Sequence, residues 1–156
     1  MSQKETQPHL TIINACAAIV PARVNIFSLN TPWLPRFRQR DGKRFSSTFS
    51  QTTQSVCEAA TLKTSIMNKD ATAQETCDGL GGEVAAEISM YQYFEFLRRA
   101  DYGYSYLAFI KDDKGDLSLV DANWLSEGWY FGAFELSDAY HFPTSHIAVS
   151  RKLDAV

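Results

Sequence analysis

The sequence predicts an α+β fold: an antiparallel sheet, made of an N-terminal hairpin and a C-terminal meander, with one or two helices packed on one face. Short β-branched and aromatic runs separated by turn residues recur before residue 50 and again after residue 104. Between them lies the stretch with the clearest helical spacing, Glu83–Ala100. Helices followed by runs of strands are the order expected of an α+β domain.

Residues 1–8 are polar and read as a disordered tail before a single domain over residues 9–156. His9–Asn14 and Arg23–Leu29 read as short strands, and Ala15-Cys16-Ala17-Ala18 between them suits a helical turn equally well. Asn30-Thr31-Pro32 and Pro35 mark a loop around Trp33. Asp41-Gly42 suits a type I′ turn, whose two central residues need positive φ. Residues 34–50 are therefore expected to form a hairpin in which Arg40 pairs with Lys43 and Arg38 with Phe45. Alternation puts Arg36, Arg38, Arg40 and Lys43 on one face and Phe37 and Arg44 on the other.

In Ser55–Met67 the apolar positions Val56, Ala59, Ala60, Leu62, Ile66 and Met67 lie close to helical spacing. Asn68–Gly82 reads as a polar connector ending in Gly79-Leu80-Gly81-Gly82. In Glu83–Ala100, Val84, Ile88, Tyr91, Phe94 and Leu97 recur at three- and four-residue steps. Glu83 and Glu87 come early and Arg98-Arg99 late, as the helix dipole favours. A strand over Met90–Phe96 is the competing reading. The meander follows as Tyr104–Ile110, Leu117–Val120, Trp129–Leu136 and His146–Ser150, with a turn at Asp112-Asp113-Lys114-Gly115 joining the first two.

Composition narrows the functional classes. A 45% hydrophobic and 13% aromatic content belongs to a globular chain. The longest apolar run, Ala15–Val20, is far short of the ~18–20 residues of a membrane helix. The polar start does not read as a signal peptide, so a cytoplasmic location and no membrane partner are expected. Cys16, Cys57 and Cys77 form no CxxC pair and suit buried or reduced thiols.

The charge is divided unevenly along the chain. Residues 1–69 hold nine Lys/Arg against three acids, a balance of +6, and residues 70–156 hold six against fifteen, a balance of −9. Such asymmetry points to a charged partner or to the halves docking on each other. Arg36, Arg38, Arg40, Lys43 and Arg44, interleaved with Trp33, Phe37, Phe45 and Phe49, suit an anionic surface or nucleic acid. Fifteen of the twenty aromatics fall between Tyr91 and Phe142. The tract Trp124–Phe134 is too apolar for one strand to turn every ring toward a single core, so Trp129, Tyr130 and Phe131 are candidate contact residues.

Catalytic and metal motifs fare worse. Asp112, Asp113, Asp116 and Asp121 lack the alternate ligands and distal Glu of an EF-hand loop. Gly79, Gly81 and Gly82 match neither a phosphate-binding nor a dinucleotide loop. His141 and His146 are five apart, which suits no shared face of a helix or strand. His9-Leu10-Thr11-Ile12 and His146-Ile147-Ala148-Val149 are the nearest thing to an enzymatic pattern, a pair of histidines set as acid and base around a phosphodiester. This pairing resembles the two-histidine phosphoesterase family, with Ala148 in place of the second hydroxyl. The resemblance implies a small phosphoesterase using His9 and His146.

The leading expectation is nevertheless a non-enzymatic binding protein. It would act as a small inhibitor or accessory factor, of the kind a mobile element carries, by occupying another protein or a nucleoprotein complex. A nucleic-acid-binding module using residues 36–44 is the second reading. Neither cofactor nor metal is expected.

Overall fold

The computed structural model describes residues 10–21, 27–28, 37–39, 48–49, 53–54, 59–125 and 128–152. The strands are β1 (Leu10–Val20), β2 (Phe27–Ser28), β3 (Phe37–Gln39), β4 (Thr53–Gln54), β5 (Ala60–Met67), β6 (Ala71–Thr72), β7 (Tyr106–Lys111), β8 (Leu117–Leu125), β9 (Gly128–Glu135), β10 (His141–Phe142) and β11 (Ile147–Arg151). The helices are α1 (Ala73–Gly79), α2 (Glu83–Ala86) and α3 (Met90–Leu97). A seven-stranded sheet runs in the order β1-β5-β11-β7-β8-β9-β3, flanked by the small ladders β6–β10 and β2–β4.

The α+β class expected from the sequence is observed, but the sheet is mixed rather than antiparallel. β7, β8 and β9 form the expected meander. β5 runs antiparallel to both β1 and β11. β11 lies parallel to β7, and β3 lies parallel to β9. Both parallel contacts join strands widely separated in sequence, whose long connections return the chain to the same end of the sheet.

The helices occupy both faces of the sheet, not one. Val84 to Leu97 carry helical spacing, yet the helix breaks between α2 and α3, where Glu87 bridges Phe109 and the Ile88 N–H donates to the Phe109 carbonyl at 2.9 Å. α1 and α2 cover one face, with Cys77, Leu80 and Ala86 against Leu107, Phe109, Leu119 and Ala148. α3 covers the other, with Tyr93, Phe94 and Leu97 against Ala108, Ile110, Val120 and Phe131. Every residue of α3 is buried, including Gln92 and Glu95.

Local chemistry explains the helix starts. Thr72 and Ser89 each close a capping box: their hydroxyls accept from the backbone N–H of Glu75 (3.2 Å) and Gln92 (3.0 Å). The Glu75 and Gln92 side chains in turn accept from the Thr72 and Ser89 N–H groups. The supposed connector Asn68–Gly82 thus holds β6 and α1, announced by Thr72-x-x-Glu75.

Three further expectations change. Ala60–Met67 is strand, not helix: Leu62, Thr64, Ser65 and Met67 are all buried, the two-sided burial of an inner strand, where β-branched residues pack well. Residues 55–58 lie outside the described residues. β1 continues through Ala15–Ala18 to Val20, so this segment is extended rather than a helical turn. Phe37–Gln39 is a strand, but its described partner is β9, while Thr48 and Phe49 are helical. The Asp41-Gly42 turn, the Arg40–Lys43 pairing and the tail 1–8 lie outside the described residues, as does Arg23–Leu29 apart from Phe27–Ser28, which pairs with β4.

Tyr93 is the polar centre of the α3 core. Its hydroxyl donates to the Tyr106 carbonyl at 2.9 Å, with the Val120 carbonyl at 3.4 Å. Burial, and then the nearby Asp121, push its phenol well above the usual tyrosine range. Burial and Asp101 push Tyr106 up to about 12 from its ordinary 10.0. A raised folded-state pKa means the folded protein holds the proton more tightly, so the contribution to stability is complete below pH 10.0 and lost as pH climbs toward about 12. Denaturation midpoints measured in urea from pH 8 upward should therefore fall once the pH passes about 10. A midpoint that stays level through about pH 11 would contradict the burial of these phenols.

Candidate binding surface at one end of the sheet

Register brings the basic and the aromatic segments together. In β3, Phe37 is paired with Trp129, Arg38 with Tyr130 and Gln39 with Phe131. In β8, Trp124 is paired with Trp129 and Asn123 with Tyr130. Trp129 and Trp124 therefore form one row, and Tyr130 and Asn123 form the next row on the opposite face, with Phe37 and Arg38 at the register positions beside Trp129 and Tyr130. The aromatic row turns toward the α3 core. Trp129 is 2% and Phe131 1% exposed, whereas Trp124 is half-buried. Tyr102, in the loop after α3, stacks on Trp124 with ring centroids 3.8 Å apart and planes 7° from parallel.

The row behind is polar. The Ser105 hydroxyl donates to the Asn123 side-chain oxygen, and the Asn123 amide donates to Asp121 Oδ2 at 3.2 Å. Asp121 is buried and lies flat across β9, a close approach allowed because residue 132 is glycine: a Cβ there would stand 2.5 Å from Asp121 Oδ1. Since Ile147 pairs with Tyr106, His146 precedes β11 beside Ser105, its ring 6.4 Å from that of Phe142.

At the opposite end of β8 and β9 the character reverses. Glu83, Asp112, Asp113, Asp116 and Glu135 line an open cleft of about 800 Å³ together with Thr48 and Gln74. Asp112 organises the turn: Oδ1 accepts from the backbone N–H groups of Lys114 and Asp116 at 2.9 and 3.0 Å, and Oδ2 accepts from the Ser118 hydroxyl. Among the described residues no group of three or more His, Cys, Asp or Glu is arranged to hold a metal ion. The Asp113 N–H donates to the Thr48 carbonyl at 3.1 Å. Gln39 thus lies beside Phe131 at one end of these strands, and Thr48 beside the acidic turn at the other.

Of the expected contact residues, Trp129 and Phe131 are core side chains in this structure, Tyr130 is half-buried, and Arg38 holds a register position beside it. Trp33, Arg36, Arg40, Lys43 and Arg44 lie outside the described residues. So does His9, and Ala148, the second-hydroxyl position of the phosphoesterase pattern, is buried in the core beneath α2. The buried Cys77 thiol is pushed up to about 11, first by burial and then by Asp78 and Glu83, which holds it protonated at neutral pH. Comparison with known proteins finds no matching family model, no matching curated relative and no matching solved structure.

Sequence reasoning missed Tyr102, Tyr104 and Arg99, which share the loop between α3 and β7. The available signal was Asp101-Tyr102-Gly103-Tyr104, two aromatics around a turn residue just past a helix end.

Two measurements check this geometry. Gly132→Ala forces a methyl into the hydrogen-bonded Asp121 carboxylate and should cost about 1–3 kcal/mol, lowering Tm by roughly 2–4 °C for each kcal/mol in a chain of this size. An unchanged Tm would mean that Asp121 does not lie over β9. Acrylamide quenching of tryptophan emission should fall in Trp124→Phe and stay near the wild-type level in a folded Trp129→Phe, because only the former ring reaches solvent of this pair. The reverse order would refute the assigned row.

Proposed function

We propose that the protein is a non-enzymatic binding protein, an inhibitor or accessory factor, that occupies an anionic macromolecular partner with the β8–β9–β3 end of its sheet. The supporting observation is the β3–β9 register, which sets the chain's most cationic segment beside its most aromatic one. Arginines supply bidentate donors to carboxylates or phosphates, and tyrosine and tryptophan supply apolar area with a polar tip. The acidic cleft at the far end of the same strands gives the molecule a polarity that orients it toward a negative surface before contact.

The test is the triple variant Arg36→Glu, Arg38→Glu, Arg40→Glu, presented as immobilised full-length chain to extract from the native host. It should retain the wild-type circular dichroism and Tm yet fail to retain the partner held by the wild type. A Tm drop of several degrees would show instead that the segment clasps the chain's own acidic turn. Undiminished partner retention would overturn the reading outright.

A further inference from the structure

The longest strand of the sheet, β1, is also one of its two borders. β5 runs along its inner edge, and among the described residues no strand lies along the outer one. Thr11 to Cys16 are all exposed, and Ile12, Ile13 and Ile19 are 56%, 51% and 66% exposed. No charged residue falls between Leu10 and Val20, so this edge lacks the lysine or glutamate that commonly guards one. Its register with β5 slips between Ile12 and Asn14 and again between Asn14 and Ala18, which leaves a regular run on either side. The same register fixes the face on which each side chain lies. Ile12 pairs with Ser65 and Ile19 with Thr61, four residues apart on β5, so the two isoleucines share one face. Thr11 pairs with Ile66 and Val20 with Ala60, six apart, so these two share the other face.

We infer that β1 joins two copies of this chain edge to edge, antiparallel about a twofold axis between Ala15 and Cys16. Three features select a second copy over a foreign strand. The first is the irregularity itself. A foreign strand brings a regular ladder that the bulge interrupts, whereas a second copy brings the same interruption, and the twofold sets the two against each other at the axis. The second is the side-chain pattern. The axis places Ile12 beside Ile19 of the other copy and Thr11 beside its Val20, and residues opposed across an antiparallel pair must share a face. These are the two pairs that the register with β5 sets on common faces. The third is charge: the chain carries a net −3, yet two copies meeting here oppose no like charges. The area sets the strength. Eleven residues at about 3.4 Å each give a strip about 37 Å long and about 10 Å thick. That is well under the roughly 800 Å² per partner of a standard interface, so the dimer forms reversibly and with rising concentration. Because β3 closes the opposite border, the joined sheet presents the β8–β9–β3 end twice, once at each outer margin. The dimer is therefore bivalent for whatever that end binds, and it stands or falls independently of the binding reading above.

The experiment is sedimentation equilibrium of the full chain over a concentration series in reducing buffer. The mass should approach twice that of one chain as concentration rises, with no larger species. Ile12→Lys combined with Ile19→Lys sets lysine opposite lysine at both ends of the contact and should weaken the dimer about tenfold or more. Ile12→Glu combined with Ile19→Lys sets opposite charges across the same two positions and should recover that loss. Both side chains are largely exposed in the single chain, so circular dichroism and Tm should stay at the wild-type level. A short thiol-to-thiol crosslinker should join two wild-type copies through Cys16, which lies beside the axis, and the yield should collapse in Cys16→Ser. That arm leaves every isoleucine in place and decides the matter if either double variant does not fold. A single-chain mass at every concentration would overturn the inference. So would equal dimerisation of the two double variants, or a crosslinking yield unchanged in Cys16→Ser. Species that keep growing with concentration would overturn it too, since they would show open stacking of strands instead of a closed pair.

Discussion

The short passage Glu87–Ser89 is the constraint on which the rest of the architecture depends. Its backbone joins Phe109 on β7, through the Glu87 bridge and the Ile88 N–H, and carries the chain from one side of the sheet to the other. Because of it, a stretch with unbroken helical spacing becomes two helices in two different cores. Each core then closes with its own set of alternating residues from the same strands: Tyr106, Ala108 and Ile110 on one side, Leu107 and Phe109 on the other. A sheet covered on both faces needs apolar residues at successive strand positions, which is why β7 and β8 read as continuous runs instead of alternating ones.

The legible parts of the fold were those decided by neighbours in sequence. The Asp112–Gly115 turn and the strands beside it emerge near their expected places because the turn chemistry and the runs agree locally. Ser55–Met67 misled because alternating burial on two faces leaves apolar residues at nearly every position, a pattern that helical spacing also matches over one or two turns. Parallel pairing of β3 with β9 leaves no local mark at all, since it depends on a partner far along the chain. For the candidate surface, the residue types were legible and their exposure was not. Trp129 and Phe131 alternate with Tyr130, as strand geometry demands, but which side was buried depended on where α3 packed. The placement of Tyr102 was not legible because it is set by stacking on Trp124, more than a strand away.

The two borders of the sheet are managed by different means. β1, the outermost strand on one side, carries exposed Ile12, Ile13 and Ile19 and no charge, a composition that invites pairing with other chains. Its register slips between Asn14 and Ala18, and the Asn14 side chain accepts from the Cys16 N–H at 3.0 Å. The resulting bulge breaks the regular ladder of donors and acceptors that a passing strand would need. At the other border lies β3, a three-residue strand that holds Arg38 and is too short to offer a long ladder. One margin is protected by irregular geometry and the other by brevity.

The strand order also bears on how the molecule comes into being. β11 follows every other strand in sequence, yet in space it sits between β5 and β7, pairing with both. Until it arrives, the β1–β5 pair and the β7–β8–β9 meander have no backbone contact with one another within the sheet. Emerging from the ribosome, the chain can assemble both pieces before β11, the β7–β8–β9 meander through local pairing and the β1–β5 pair across partners 40 to 57 residues apart, but their inner edges stay bare. The sheet becomes one body at a single late step, when Ile147–Arg151 slides into the gap like a keystone. A nascent chain of this protein is therefore most exposed to misassociation until Ile147–Arg151 has emerged, and its dependence on chaperones should be concentrated in that interval.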